Sequence, residues 1–304
     1  QVHVFLHATE DIDLPDFRAS LRGIADELRS ADRVYVHGIA DLDRLRAMGV
    51  VANVTLFPHG IPDLAAEPGL AADAAQERRV QADASAAWAE SGPDTAVADP
   101  LAASTLRAQA GIGNRRVIAS YGFLLPHKGM QQLVEAFAAM QPQRENLHLL
   151  LVCALYPAEV SSQEKATVEA LAERLGLSDR VTLVTDFLPD ELSLAWLRLA
   201  DLVVFPYQRT QESASGAVRM GLAARRPVAV TPLTIFDDVG EVVHRLPGTT
   251  PEAIASGLST LLADPERCRD LAQRAARHVE ARAWPRVAAR LRDLIDGLAN
   301  PLPT

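Results

Sequence analysis

Hydrophobic positions in the first part of the chain alternate between strand-like and helix-like spacing. The apolar runs VHVFLHAT, RVYVHG and NVTLFPHG are typical of strands, and the segments between them, FRASLRGIADELRSA and ADLDRLRAMG, have helical spacing. The second of these helices is expected to end at Gly49. Because strands that alternate with helices usually form parallel sheets, residues 1–62 predict an α/β unit.

A second region repeats this alternation more regularly. The strand-like runs are RRVIASYG, LHLLLVCA, RVTLVTD, LVVFP and PVAVTP, and a helix-like segment separates each from the next. LHLLLVCA is almost wholly apolar, as a strand buried on both faces should be. This order predicts a doubly wound α/β domain with at least five strands. Three helical segments follow, and the last carries an apolar stripe that predicts a packing helix: Val287, Leu291, Leu294, Ile295 and Leu298.

The stretch between the two regions has a different composition. It is rich in Ala, Asp and Glu, contains Pro and Gly breaks, and lacks a sustained strand pattern. These features predict a linker or insertion with some helix. The expected parts of the chain are therefore an N-terminal domain region at 1–62, a linker at 63–113, a C-terminal Rossmann-like domain at 114–282, and a last helix and tail at 283–304.

Composition and charge narrow the classes of function. A chain of 304 residues is long enough for two domains, and a net charge of −9 argues against a nucleic-acid-binding surface. Cys153 and Cys268 have no metal-binding spacing, which favours a reducing compartment and no zinc site. No apolar run is long enough to span a bilayer. The arginines around 267–292 would suit an anionic membrane surface, but interspersed acidic residues dilute them.

The first candidate binding loop follows the strand RRVIASYG. In a doubly wound sheet, ligands bind beyond the carboxyl ends of the strands. Gly122 allows a ligand to approach the backbone closely, and Lys128 stands where the next helix begins. A lysine at this place opposes the helix dipole, so a bound phosphate would offset its cost. The alternative interpretation is a solvated surface lysine.

The second candidate loop is TDFLPDE, after a later strand of the same sheet. Asp186 and Phe187 could frame a flat ring at this position. Asp186 taken alone is better explained as a cap on the helix that starts near Pro189.

The third candidate loop contains the sequence QESASG. Ser213, Ser215 and Gly216 stand where a helix should begin, and small residues there would let an anion approach the free backbone N–H groups. Glu212 is a poor neighbour for a phosphate but a good acceptor for hydroxyl groups attached to one, as in a sugar. The alternative interpretation is an N-terminal cap on a buried helix.

Four blocks of the sequence occur in a telling order: VTLFPHGIPD, YGFLLPHKGMQQLVEAF, RVTLVTDFLPDELSLAWLRLADLVVFPY and QESASGAVRMGLAARRPVAVT. In this order they resemble the signature blocks of the retaining GT-B glycosyltransferases, and more closely the large family that includes bacterial mannosyltransferases and sucrose synthase. The resemblance covers most of the chain from about Arg33 to Asp238. It implies two Rossmann-like domains across a cleft, with the nucleotide sugar on the C-terminal domain and a last helix that crosses back to the N-terminal one.

The resemblance also assigns roles to individual residues. Lys128 would hold the donor diphosphate, and Glu212 would contact donor sugar hydroxyls as the first glutamate of a Glu-x7-Glu motif. His7 would lie near the reacting carbon, and the backbone of 213–216 would face the sugar and phosphate. No DxD element is placed for a metal, because DLD at 41–43 lies in a predicted helix and is expected to be a solvated face.

The activity that the resemblance implies is that of a hexosyltransferase without a metal or other cofactor. It would use a nucleotide-sugar donor and a glycan, lipid-linked or small-molecule acceptor, in glycan or polysaccharide biosynthesis. The enzyme would be cytoplasmic and could make peripheral contact with the inner face of the membrane.

Two residues depart from the family pattern. Met220 stands where a second glutamate would bind the nucleotide ribose, and a thioether is a weak acceptor. Phe123 stands where the family often has an arginine for the diphosphate. The start QVHVFLHATE reads as a strand entered directly, so we expect residues 1–62 to be only the later half of the N-terminal, acceptor-side domain.

The incomplete N-terminal domain implies that this chain alone could be an inactive fragment. The departures also leave a second class of function open, a catalytically silent GT-B module that binds a sugar, a nucleotide or a partner protein. A GT-B epimerase or phosphorylase is a third alternative.

Overall fold

A computed structural model describes residues 1–14, 17–63, 100–141, 143–210 and 212–299. The described chain contains two separate parallel sheets and one short antiparallel hairpin. The sequence-based expectation that the first strand pairs with RVYVHG or NVTLFPHG, apart from the later strands, is therefore confirmed.

The smaller sheet is formed by the first strands of the chain. Its strands lie in the order β1-β4-β5 and all pair in parallel. Val34 and Val36 of its central strand pack with Leu28 and Leu45 of the neighbouring helices in a small core. The elements of this part are β1 (His3–Leu6), β2 (Ile12–Leu14), β3 (Phe17–Ala19), α1 (Ala25–Ser30), β4 (Arg33–Val36), α2 (Ile39–Ala47) and β5 (Val54–Leu56).

The first predicted helix, over 17–31, is wrong in its first half. Phe17–Ala19 forms an antiparallel hairpin with Ile12–Leu14, and the α-helix covers only Ala25–Ser30. Ser20 accepts a hydrogen bond from the backbone of Arg22, which starts a short 3-10 turn, and Gly23 disfavours a continuous helix. Apolar spacing alone could not separate these pieces.

The larger sheet has six parallel strands in the order β11-β10-β9-β6-β7-β8. The sequence predicted five of them, and the additional one is the two-residue strand β11 at the edge. Strand order reverses between β6 and β9, which is where a doubly wound sheet opens a binding crevice. The strands are β6 (Arg116–Phe123), β7 (Leu147–Ala154), β8 (Val181–Val184), β9 (Leu202–Phe205), β10 (Val228–Val230) and β11 (His244–Arg245).

Helices cover both faces of the larger sheet, so successive strand residues enter opposite cores. Val203 packs on the face that includes Met220, while Val204 packs on the face that includes Phe137. Burial on both sides explains why LHLLLVCA is apolar throughout. The helices of this part are α3 (Pro100–Gln109), α4 (Met130–Ala139), α5 (Glu159–Arg174), α6 (Asp190–Leu197), α7 (Gly216–Ala223), α8 (Pro251–Leu262) and α9 (Pro265–Arg282).

The last part of the predicted linker at 63–113 forms a helix that packs against the larger sheet. Helix α3 places Leu106 in the same core as β6 and β9, and Ile112 follows it there. The sequence predicted some helix in this segment but not that it packs in the core of the larger sheet. Residues 64–99 of the predicted linker lie outside the described part of the chain.

The last helix, α10 (Trp284–Ala299), packs on the smaller sheet, as the sequence predicted. Val287 of α10 joins Tyr35 and Phe57 in a cluster of buried residues. Just before this helix, the backbone carbonyl of Arg282 accepts a hydrogen bond from the backbone N–H of Ile61 at 2.9 Å. Within the described residues, no helix combines the length and hydropathy that a membrane span would need.

Candidate functional site

Lys128 ends a single 3-10 turn that follows β6. The next residue, Gly129, has φ +76°, and a Cβ on it would lie 2.0 Å from the carbonyl oxygen of Pro206. Only glycine fits there, because a side chain would be strained in conformation and would clash with backbone. The tight turn brings the loop after β6 against the loop after β9, and it leaves Lys128 only 7% exposed.

Two groups from the loop after β9 hold the ammonium group of Lys128. Its Nζ lies 2.8 Å from Glu212 Oε2 and 4.1 Å from the centre of the Tyr207 ring. Lys128 is therefore not a solvated surface lysine. Its charge is balanced by Glu212, whereas the sequence suggested that a bound phosphate would offset it.

His127 contacts the same carboxylate from the other side. Its Nε2 lies 3.8 Å from Glu212 Oε1 and, in the described structure, accepts or donates no hydrogen bond. Burial lowers the pKa of His127, and the adjacent charge of Lys128 lowers it further. The lowered pKa favours an uncharged imidazole of His127 beside the ion pair of Lys128 and Glu212.

The small residues at the start of α7 cap that helix and also line a pocket. Ser215 accepts a hydrogen bond from the backbone of Val218 at 3.2 Å and exchanges another with the Tyr207 hydroxyl at 3.0 Å. The capping interpretation therefore holds for the Ser215 side chain. Gly216 lines the pocket that contains Lys128, so the first turn of α7 faces that pocket.

An aromatic wall forms the opposite side of this pocket. The rings of Phe123 and Phe187 are stacked, with centroids 6.0 Å apart and planes 15° apart. Phe187 is 78% exposed, so most of its side chain is open to solvent. Asp186 lies in the same wall but does not cap α6, because Pro189 is the N-cap residue and no side chain bonds there. The capping interpretation of Asp186 is therefore wrong.

Met220 completes the apolar side of the pocket. It is 6% exposed and packs in the core under the large sheet, so it faces the pocket and the core rather than solvent. Gly122 has φ +136°, and a Cβ there would lie 3.3 Å from Ala217. One pocket of about 390 Å³ therefore gathers most of the residues that the sequence singled out: Gly122, Phe123, Lys128, Asp186, Phe187, Glu212, Gly216 and Met220.

Ser213 lies outside this group and joins the two sheets instead. Its hydroxyl donates to Asp41 Oδ1 at 2.6 Å, and Asp41 also accepts from Thr9 at 2.5 Å and from the backbone of Gly38 at 3.1 Å. Asp41 is 1% exposed, so the expectation of a solvated face is wrong at this position. Thr9 and Ser213 lie on distant segments, which no local pattern around DLD could indicate, whereas Gly38 and Arg44 are neighbours of Asp41 along its own helix.

A second cleft lies between the two sheets and adjoins the first pocket at Glu212. Both sheets contribute to its walls, which carry both acidic and basic side chains. The basic lining residues are Arg44, Arg282 and Arg290, and the acidic ones include Glu10, Asp41, Glu212, Asp237 and Asp238.

Arg219 is buried beneath these surfaces. It donates to the backbone of Ser215 and pairs with Asp238, which accounts for its charge. Burial lowers the pKa of Arg219 and the Asp238 carboxylate opposes that change. Arg219 thus supports the start of α7 and does not replace the family arginine that is missing at Phe123.

His7 belongs to a cluster of three histidines. Its Nδ1 lies 3.1 Å from His37 Nε2, and the ring centres of His37 and His59 are 4.9 Å apart. His37 also lines the cleft between the sheets, together with Glu212. The sequence predicted a role for His7 alone. The signal for the group was present, since a histidine follows each of the three strands β1, β4 and β5.

Comparison with known proteins identifies the family. Residues 103–278, more than half of the chain, match the model of the glycosyl transferases group 1. The chain belongs to this family. As a group 1 glycosyl transferase it has the GT-B fold, and the chain covers part of that architecture. This confirms the expected fold class.

Three similar proteins show how much of the architecture is covered. The group 1 chain is 32% identical over 190 residues to a D-inositol 3-phosphate glycosyltransferase of Corynebacterium glutamicum, across 61% of this chain and 44% of the relative. It is 27% identical over 213 residues to a GDP-mannose-dependent alpha-(1-6)-phosphatidylinositol monomannoside mannosyltransferase of Mycolicibacterium smegmatis, across 66% of this chain and 52% of the relative.

The third similarity is structural. The crystal structure of Anabaena Alr3699/HepE in complex with UDP superposes with a TM-score of 0.71 at 17% identity, across 97% of this chain and 72% of that one. At that identity the likeness concerns the fold. The group 1 chain spans about half the length of the curated relatives it matches.

Proposed function

We propose that the chain is part of a retaining hexosyltransferase, which moves a sugar from a nucleotide-sugar donor to an acceptor hydroxyl and keeps the anomeric configuration. Residues 114–282 hold the donor, while residues 1–62 and 283–304 lie on the acceptor side of the cleft. One observation carries the proposal. Lys128 and Glu212, from the loops that follow the neighbouring strands β6 and β9, meet beside the first turn of α7 in one pocket.

Lys128 and the start of α7 supply what a diphosphate needs. The ammonium group rests on the Tyr207 ring, so its position is set before a ligand arrives. Backbone N–H groups at a helix N-terminus bind anions, and Gly216 leaves this one accessible. Together they would stabilise the charge that develops on the departing diphosphate, so the proposed transfer uses no metal ion at that place.

Glu212 changes partners in this proposal. Its side chain is 46% exposed, so the carboxylate is able to turn away from Lys128 into the pocket. When a diphosphate takes the ammonium group, Glu212 becomes free to accept hydrogen bonds from the sugar hydroxyls. Before the donor binds, the ion pair keeps the buried ammonium compensated, which a lone cation would not be.

The aromatic wall is the proposed site of the nucleoside. A base stacks readily on an aromatic face, and Phe187 presents one at the rim of the pocket. Met220 lies on the buried side, where it offers van der Waals contact but no strong acceptor for ribose hydroxyls. Stacking would therefore carry more of the nucleoside affinity here than hydrogen bonds to the ribose.

The acceptor is proposed to enter through the cleft between the sheets. The names of the two curated relatives contain inositol in both cases, once as a phosphate and once in a lipid. Arg44, Arg282 and Arg290 line the cleft and could meet an anionic group on such an acceptor. We therefore propose a polyol or glycan acceptor, in the synthesis of a glycolipid or polysaccharide.

The first test is nucleotide binding. A thermal-shift panel of UDP, GDP, ADP, dTDP and their sugars should give a rise in melting temperature for one base, because a ligand of the native state stabilises it by mass action. Lys128→Ala should reduce that shift strongly, by loss of a charge-assisted contact worth a few kcal/mol. Lys165→Ala is the matched control, since Lys165 pairs with Glu169 at 3.3 Å on an exposed helix. No shift with any nucleotide would contradict the proposal.

The second test separates an enzyme from a silent binding module, which Met220 favours. Glu212→Gln should leave nucleotide diphosphate affinity unchanged or raise it, because Lys128 loses its competing partner. Sugar transfer by the complete protein should fall by roughly 10- to 1000-fold, and NMR of the product should show a retained anomeric configuration. Nucleotide binding without any transfer by the complete protein would favour the silent module.

A further inference from the structure

Three histidines meet at one edge of the small sheet because of its topology. His7 and His37 each follow directly on the last residue of a strand, β1 and β4, and His59 comes shortly after β5. These strands are parallel and adjacent, so their carboxyl ends lie side by side. One ring nitrogen from each of the three lies within 4.8 Å of the other two.

Backbone carbonyls orient two of the three rings. Nδ1 of His37 lies 3.0 Å from the oxygen of Phe57, and Nδ1 of His59 lies 3.1 Å from the oxygen of Gly60. A carbonyl only accepts, so each Nδ1 carries the proton and each Nε2 has a lone pair. On His37 this lone pair accepts a hydrogen bond from His7 Nδ1, which a metal ion would replace. Metal-binding histidines are commonly held in this way by a second hydrogen bond.

We propose that His7, His37 and His59 form a binding site for a divalent transition-metal ion, with Zn²⁺ the best match. Two Zn–N bonds at a tetrahedral angle place their nitrogen atoms roughly 3.4 Å apart. His37 Nε2 and His7 Nδ1 already lie 3.1 Å apart. The other two nitrogen–nitrogen distances are at most 4.8 Å, and because His7 is exposed its ring is able to move and shorten the one to His59. A ligand set of imidazoles alone suits Zn²⁺, Cu²⁺ or Ni²⁺ and not Mg²⁺ or Ca²⁺.

The Arg219 cation acts against positive charge on His37 and His59, and its pairing with Asp238 reduces this effect. The second oxygen of Asp238, Oδ1, is buried and has no hydrogen-bond partner in the described structure. An added positive charge beside His37 would therefore also meet a carboxylate that is not fully satisfied.

His37 and His59 have no assigned part in the proposed donor chemistry, whereas the resemblance places His7 near the reacting carbon. The diphosphate is assigned to Lys128 and the start of α7, which the histidines do not contact in the described hydrogen bonds. His37 lines the cleft between the sheets, so the fourth coordination position would open toward water or a cleft ligand. The sequence reading excluded zinc from the cysteines alone and did not weigh histidines that are distant in the chain.

Cobalt titration tests the site directly. After bound metal is removed with a chelator, the protein should bind one Co²⁺ and show the strong visible absorption of a tetrahedral Co²⁺ ion. Addition of Zn²⁺ should displace the Co²⁺ and remove this absorption. His37→Gln and His59→Gln should each weaken this binding by about 100-fold or more, since ligand loss costs at least as much as loss of a supporting group. His3→Gln is the matched control, because His3 lies in the same sheet and bonds to Tyr35 at 3.1 Å instead.

Two results would overturn the proposal. One is the absence of a tetrahedral Co²⁺ signal from folded protein, with folding checked by circular dichroism. The other is binding that persists at full strength in His37→Gln and His59→Gln, which would place the ion elsewhere. Should either variant fail to fold, His7→Ala decides, because His7 is exposed and its loss should abolish the signal without disturbing the core.

Discussion

The pocket of the large sheet and the polar contact between the sheets use buried charge in different ways. In the pocket, Lys128 faces a carboxylate that is 46% exposed and free to move. Between the sheets, Asp41 is 1% exposed and accepts hydrogen bonds from Thr9, Gly38 and Ser213. The first arrangement is able to exchange its partner for a ligand. The second has its acceptor capacity filled by the protein and holds two parts of the fold together.

The difference shows where binding energy can come from. A charged group whose partner is able to move away binds a ligand at a small cost in free energy. A buried charge whose hydrogen bonds are all made to the protein would lose as much interaction free energy as it gained from a ligand. Burial alone therefore does not distinguish a binding group from a structural one. What distinguishes a binding group is a partner residue that is able to move away from it.

The largest expected effect tests whether the pocket depends on its tight turn. Gly129→Ala should lower the free energy of unfolding by about 3 kcal/mol, because the new Cβ is strained in φ and meets the backbone of Pro206. The nucleotide-induced thermal shift should also disappear, since Lys128 would move. Chemical denaturation and thermal shift measure the two effects.

Gly176→Ala is the control for this experiment. Gly176 has φ +65° but no atom within 4 Å of a new Cβ. Its replacement should cost only the conformational strain, about 1 kcal/mol, and leave nucleotide binding unchanged. Equal losses in the two variants would show that the contact with Pro206 is unimportant.

An intermediate effect tests the saturated charge. Asp41→Asn should lower the free energy of unfolding by about 2 kcal/mol, because an amide cannot accept the same set of hydrogen bonds. Asp43→Asn in the same helix should change it by less than about 0.5 kcal/mol, since the Asp43 side chain is 63% exposed. Combining Asp41→Asn with Ser213→Ala should give a loss smaller than the sum of the single losses. Strict additivity would indicate that this contact does not join the sheets.

The smallest effect concerns the aromatic wall. Phe187→Ala should weaken nucleotide binding by roughly 5- to 30-fold, the lower part of the range for loss of one stacked base. Stability should change little, because the ring is 78% exposed. Val160→Ala, at another exposed apolar position, should alter neither property. Calorimetric titration that gives equal affinity for Phe187→Ala and the parent protein would remove the ring from the site.

Several residues that the sequence singled out share one pocket, and they could be found because each is part of a local pattern. Gly122, Lys128, Phe187 and Glu212 each stand in a loop directly after a buried strand, and the parallel order of those strands brings such loops together. The pairing of Lys128 with Glu212 could not be predicted, because it depends on the path of two loops 84 residues apart.

The contact between the sheets was missed for the same kind of reason. Thr9 and Ser213, the partners of Asp41 from other segments, lie 32 and 172 residues away, and the polar pattern of its helix matches that of a solvated face. Strand β3 was missed because three residues with an apolar start fit a helical period as well as a strand. Side-chain partners between distant segments are a property of tertiary structure and leave little trace in a single sequence.

The packing of α10 has a consequence for the order in which the protein folds. Tyr35 and Phe57 on the small sheet are covered by Val287, which lies near the other end of the chain. During synthesis this aromatic surface remains open until residues 284–299 have left the ribosome, and closing so long a loop carries an entropic cost. A nascent chain released before residue 284 would expose an apolar patch of the kind that promotes aggregation.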